Sequence, residues 1–231
     1  RSTTTTTTTS DDNDDGLKIA WLMSFPNSGT SYTGKTIRHA SMTYSASNYG
    51  LENLDKNNVS VPVFTDQPTG PFKVDPSTHP EYEPPASYIF TKTHCGGRCE
   101  RCSPRGYVET TYSFRLRCLN GRWIEQAPND TRIVASGFYP STRVAKAVHL
   151  IRDPFDNVVS RFHLERRKSG SNGQGYPNSR DGFRSLCSDL NQQWHKYEIE
   201  TTWLDPYLNN LTMSVPCRAD FFRYVEWHNM A

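Results

Sequence analysis

Three short stretches carry residue types suited to phosphate chemistry. Residues 24–32 read Ser-Phe-Pro-Asn-Ser-Gly-Thr-Ser-Tyr, between an apolar run and a segment able to form a helix. A tight Gly-containing loop in that setting turns backbone N–H groups on an anion, and the helix N-terminus adds a favourable partial charge. Residues 149–160 read His-Leu-Ile-Arg-Asp-Pro-Phe-Asp-Asn-Val-Val-Ser. Arg152, at the end of a strand-like run, can pair bidentately with phosphate. Ser160 falls two turns up the following helix, on the side of its N-cap. Taken alone, Arg152 reads better as a capping or salt-bridge arginine. The third stretch is Lys92-Thr93-His94, at the end of a second apolar run. A hydroxyl is a poor nucleophile until its proton is removed, and a neutral imidazole suits that task near pH 7. A lone His at a strand end is otherwise structural.

In chain order these stretches resemble the motifs of sulfotransferases that use 3′-phosphoadenylyl sulfate (PAPS). The resemblance implies an α/β fold with a P-loop-like parallel sheet flanked by helices. It implies that Pro26, Asn27, Ser28, Gly29, Thr30, Ser31 and Tyr32 form the loop for the 5′-phosphosulfate, with Tyr32 in the place of the aromatic that stacks on adenine. Arg152 and Ser160 would bind the 3′-phosphate, His94 would act as general base, and Lys92 would lie near the transferred sulfuryl group. The implied reaction moves a sulfuryl group from PAPS to a hydroxyl, of a carbohydrate in the Golgi lumen, with no metal required. The sequence departs from the family in three ways. Asn27 stands where the family's loop carries Lys or Arg, whose charge faces the leaving phosphate. A cysteine-rich insertion, residues 95–130, lengthens the interval from Lys92 to Arg152. The family's C-terminal Gly-containing loop has no counterpart before Ala231, so the expectation is a chain lacking its C-terminal part.

A second enzyme reading competes. Gly29-Thr30-Ser31-Tyr32-Thr33-Gly34-Lys35-Thr36 fits G-x-x-x-x-G-K-T, the P-loop of an ATP-dependent kinase. Lys35 would then reach the β- and γ-phosphates, Thr36 would hold Mg²⁺ and Asp153 would serve as the metal-side carboxylate. It leaves Lys92, His94 and Ser160 without a role. A non-catalytic module that binds glycans or proteins is a third reading.

The six cysteines are Cys95, Cys99, Cys102, Cys118, Cys187 and Cys217. The first four have a spacing that fits either a four-thiolate zinc site or two disulfides. Cys187 and Cys217 form a third bridge or pack in the core. Disulfides fit an oxidising lumen. Asn-x-Ser/Thr sequons at Asn58, Asn129 and Asn210 are about as many as chance supplies at this composition.

The elements that must position these residues alternate in type. Residues 1–16, rich in Thr and Asp, bury no apolar surface and read as a disordered linker or stem; residues 17–231 read as the sulfotransferase-like domain. The chain starts at Arg1, so a membrane anchor upstream is compatible with it, while no run within it reaches the roughly 20 apolar residues of a span. A formal net charge of +2 argues for no nucleic-acid partner. Strands are expected at 17–25, 88–91 and 144–151. Helices are expected over 30–40 with Ile37 and Ala40 inward, over 154–168 with Phe155, Val158, Val159 and Phe162 on one face, over 181–202 with Phe183, Leu186, Leu190, Trp194 and Tyr197 together, and from 218 onward. Asp153 caps the second of these and Pro154 suits its first position. Residues 44–87 read as a long irregular excursion. The basic run Arg161, His163, Arg166, Arg167, Lys168 reads as a solvated face or as a track for an acidic polysaccharide.

Overall fold

The structure is a computed structural model that describes residues 16–75, 81–97, 110–127, 131–168, 175–195 and 215–231. The run Ile-Ala-Trp-Leu-Met forms the centre of β1 (Lys18–Ser24), buried along its length. A strand covered on both faces reads as a continuous apolar run, as parallel sheets require. β1 lies between β4 (Tyr88–Thr93) and β7 (Val144–Leu150), parallel to both. Two very short strands, β2 (Ala46–Ser47) and β3 (Phe72–Lys73), extend the sheet beyond β4, giving the order β3-β2-β4-β1-β7. Only β3 runs antiparallel to its neighbour. The expected mostly parallel α/β sheet is therefore present. The excursion at 44–87 is less irregular than its sequence, because β2 and β3 add an edge to the sheet.

Alternation along β1 divides the core. Ile19, Trp21 and Met23 join a cluster with Phe114, Tyr139, Tyr224 and Trp227, while Leu22 faces a cavity that also touches Gly34 and Arg38 of α1 (Thr30–Ser41). α1 thus buries Thr30 and Arg38, whereas Ile37 is only half-buried and Ala40 exposed. The expected apolar inward face is replaced by a polar one because the helix overlies that cavity.

α3 (Pro154–Lys168), α4 (Arg180–His195) and α5 (Arg218–Met230) pack together through Phe162, Leu186, Leu190, Ala219 and Phe222. Asp153 accepts hydrogen bonds from the N–H groups of Phe155 and Asp156, the expected cap. Val158 and Phe162 are buried as expected, but Phe155 and Val159 are exposed. Phe155 nevertheless meets the Phe221 ring of α5 edge-on at 4.9 Å, so Val159 is the member that falls off the stripe. Leu186 and Leu190 are buried with Phe183 against them; Tyr197 lies outside the described residues. The basic run is broken at its first member: Arg161 is 2% exposed and forms an ion pair with Asp220 at 3.2 Å, and Arg223 approaches the same carboxylate at 3.7 Å. That removes the continuous cationic track.

Within and beyond the insertion, α2 (Thr111–Cys118) leads into a hairpin of β5 (Asn120–Gln126) and β6 (Arg132–Phe138). The hairpin docks on the segment after β2: Arg122 N–H donates to the Asn48 carbonyl, and the Ser60 and Ile124 backbones are tied together. Asn48 donates to the Cys118 carbonyl at 2.6 Å and to Thr93 at 3.2 Å, and accepts from Tyr139 at 2.9 Å. Tyr139 in turn accepts from Trp21 at 2.9 Å. Burial pushes the Tyr139 hydroxyl well above the ordinary tyrosine range, which keeps it a donor. Cys95 is disulfide-bonded to Cys118 and Cys187 to Cys217. Two sulfurs of the four-cysteine set are thus bonded to each other, as the disulfide alternative has it; Cys99 and Cys102 lie outside the described residues, as do residues 1–15, Asn129 and Asn210. No helix among the described residues is long and apolar enough to cross a membrane.

Candidate functional site

Register brings the three stretches to one end of the sheet. Met23 is opposite Thr93, and Ser24 is opposite Leu150. The loop after β1, His94 after β4 and Arg152 after β7 therefore leave the carboxyl ends of adjacent parallel strands, the place where open α/β sheets form crevices.

The loop turns through two left-handed residues, Asn27 at φ 69° and Gly29 at φ 93°. Gly adopts that region without strain, and Asn tolerates it better than other side chains. Asn27 is thus a backbone choice, where Lys would cost about 1 kcal/mol. Gly29 is the N-cap of α1 and supplies no side-chain cap, and no acidic residue occupies the first turn. The leading N–H groups of α1 are left to an external acceptor. Asn157, buried in α3, donates to the Pro26 carbonyl at 2.9 Å and to Ser28 Oγ at 3.0 Å, pinning the loop from behind.

His94 is 5% exposed. Its Nδ1 lies 2.8 Å from the Ser24 carbonyl oxygen and 3.2 Å from Ser24 Oγ. A carbonyl only accepts, so Nδ1 carries the proton and Nε2 is the basic nitrogen of the neutral ring. Ser24 Oγ also contacts Thr30 Oγ1, linking the base to the loop. The Tyr49 ring stacks on the imidazole at 5.6 Å, and its hydroxyl accepts the His94 N–H at 2.9 Å. The His94 carbonyl accepts from Trp227 Nε1 at 2.8 Å and from Gly97 N–H at 2.7 Å. A Cβ on Gly97 would come within 2.8 Å of Pro26 Cδ, so glycine lets this turn sit against the loop. Lys92 Nζ reaches Ser31 Oγ at 3.3 Å and Glu52 Oε2 at 3.2 Å. Arg152 donates through Nη1 to the Asn27 carbonyl at 3.0 Å.

A cleft of about 650 Å³ gathers these groups. Pro26, Asn27, Gly29, Thr30, Ser31, Tyr32, Lys92, His94, Arg152 and Ser160, all named from the sequence, line it. Ser28 does not, because the turn at Asn27 directs its side chain inward to Asn157. Tyr32 is 78% exposed at the cleft mouth. Sequence reasoning missed Glu52 and Leu164 in the lining, and Tyr49 and Asn157 behind it, and named Arg167 only as part of the basic run. Asn157 falls inside the second stretch, 149–160, and was the one of these with a signal; Tyr49 and Glu52 sit in the patternless 44–87. Lys92, Arg152 and Arg167 face one carboxylate, Glu52, so the cleft favours an anion.

Lys35 and Thr36 lie in the second turn of α1, outside the lining, and Thr36 Oγ donates to the Tyr32 carbonyl. Among the described residues no His, Cys, Asp or Glu group is placed to hold a metal ion. No family model matches the chain, and neither does any curated protein or solved structure.

Proposed function

We propose that this chain is a PAPS-dependent sulfotransferase acting on a hydroxyl of a carbohydrate. The observation that carries the reading is the single cationic cleft lined by the loop at 26–32, by Lys92 and His94, and by Arg152 and Ser160. These residues come from three separated stretches, and the family's chemistry needs them together. The α1 N-terminus and Ser31 hold the 5′-phosphosulfate, while Arg152 and Ser160 hold the 3′-phosphate. The acceptor oxygen attacks sulfur, the bond from sulfur to the bridging 5′-phosphate oxygen breaks, and 3′,5′-ADP leaves. The acceptor proton passes to His94 Nε2. Lys92 and Arg152, each hydrogen-bonded to the loop, supply positive charge that Asn27 lacks. The kinase reading is weaker, because Lys35 and Thr36 sit a turn too far along α1.

The disulfides fit an oxidising compartment, and the Golgi lumen suits a carbohydrate acceptor. Asn58, exposed at a turn, is open to glycosylation there. The test is acceptor-dependent release of 3′,5′-ADP from PAPS, by the wild type and by His94→Ala. Release that is lost in the variant supports the proposal; no release from PAPS, with phosphoryl transfer from ATP that leaves adenosine 5′-diphosphate, contradicts it.

A further inference from the structure

A second cavity, of about 260 Å³, opens beside the cleft and shares Thr30, Ser31, Glu52 and Lys92 with it. It runs between α1 and the β2 edge of the sheet. Its far wall holds Arg38, whose guanidinium donates to Ser45 Oγ at 3.1 Å and pairs with Asp75 at 3.4 Å. Ser47 and Asn53 complete that wall, and Phe90 offers the floor an aromatic surface. Nine of the fourteen lining residues have polar or charged side chains, which offer a guest hydrogen-bond partners beside the apolar surface of Leu22, Val74 and Phe90. Charge separates this cavity from its neighbour. Arg38 and Lys92 are matched here by Glu52 and Asp75, whereas the cleft has three cations against one carboxylate.

We infer that this cavity is the acceptor subsite and that it takes one uncharged sugar ring. The inference rests on the sulfotransferase reading. The cationic cleft receives the anionic nucleotide. The balanced cavity offers donors and acceptors to hydroxyls, with no surplus cation to repay desolvation of a uronate or sulfate. The shared residues put the ring at Lys92 and Ser31, where a sulfuryl group held by the α1 N-terminus would be attacked. The volume suits a single ring, not a polysaccharide chain lying in a groove.

Gly34 gives the test a handle. It lines the cavity from α1, and a Cβ there meets no atom within 4 Å, so a larger side chain enters space instead of displacing neighbours. Saturation-transfer NMR on the whole chain would use a neutral hexose, an N-acetylhexosamine and glucuronate as probes, without nucleotide. Calorimetry with 3′,5′-ADP and a melting curve accompany each variant. The neutral sugars should give signals and glucuronate none. Gly34→Phe should reduce the neutral signals by about fivefold or more while 3′,5′-ADP binding stays within about twofold. Asp75→Asn, which removes one negative charge beside Arg38, should admit glucuronate. Glucuronate binding to the wild type, or neutral signals that survive a folded Gly34→Phe, would overturn the inference. If Gly34→Phe does not fold, the Asp75→Asn result decides. Intact sugar binding with no 3′,5′-ADP binding by the wild type would instead overturn sulfotransfer and leave a sugar site without a donor.

Discussion

At the residue scale the chemistry turns on which nitrogen of His94 holds a proton. The Ser24 carbonyl fixes it on Nδ1, and the Tyr49 stack fixes the ring plane. His94→Ala should therefore lower PAPS turnover by about 10²–10⁴-fold, as loss of a general base does, while 3′,5′-ADP still binds. Equal loss of binding and turnover, measured by calorimetry beside the release assay, would make His94 a structural residue. Most of the residues at this site were legible in the sequence because each belongs to a short stretch with a local backbone reason: a Gly turn, a strand end, a capped helix start. Tyr49 and Glu52 were not. They act through space, from a segment whose residues show no period. Arg38 went unnamed for a related reason: helical periodicity points to the apolar Ile37 and Ala40, and α1 turns a polar side toward its cavity.

At the element scale, the central strand β1 was legible because full burial demands an unbroken apolar run, whereas β2, two residues long, was not. Nor was the β5–β6 hairpin. β6 is largely exposed despite Ile133, Val134 and Phe138, so burial gives it no alternation to read. The hairpin matters because β5 packs against the turn that carries Glu52, and α2 is bound by Cys118 to the residue after His94. Replacing Cys95 and Cys118 together by Ser opens a loop of 23 residues. It should cost about 3 kcal/mol, seen as a lower denaturation midpoint with little change in slope. An unchanged midpoint would mean that the Asn48–Tyr139 hydrogen bonds hold α2 and the hairpin without it.

At the scale of the whole molecule, α5 closes the base of the site while joining the helical layer. Trp227 holds the His94 carbonyl, and the next residue, His228, meets His149 of β7 at 2.8 Å. Burial first, then the neighbouring His149, push His228 down from 6.5 to about 4; burial lowers His149 as well. The unfolded chain therefore takes up these protons before the folded one does. Their contribution to stability is complete above about pH 6.5 and is lost as pH falls toward 4. The melting temperature should fall over that window by about 2–4 °C for each 1 kcal/mol lost. His228→Phe, which keeps the aromatic packing, should flatten the dependence. A wild-type curve already flat between those limits would contradict it.

The central claim is that one cleft holds a nucleotide phosphorylated at both the 3′ and 5′ positions. Calorimetric titration with 3′,5′-ADP, 5′-AMP and ATP–Mg²⁺ tests it most directly, on the wild type and on Arg152→Ala. The account predicts that 3′,5′-ADP binds most tightly. It predicts that Arg152→Ala weakens 3′,5′-ADP by about tenfold more than 5′-AMP, the scale of a charged hydrogen-bond pair. Preference for ATP–Mg²⁺, or equal losses for the two adenylates, would contradict it.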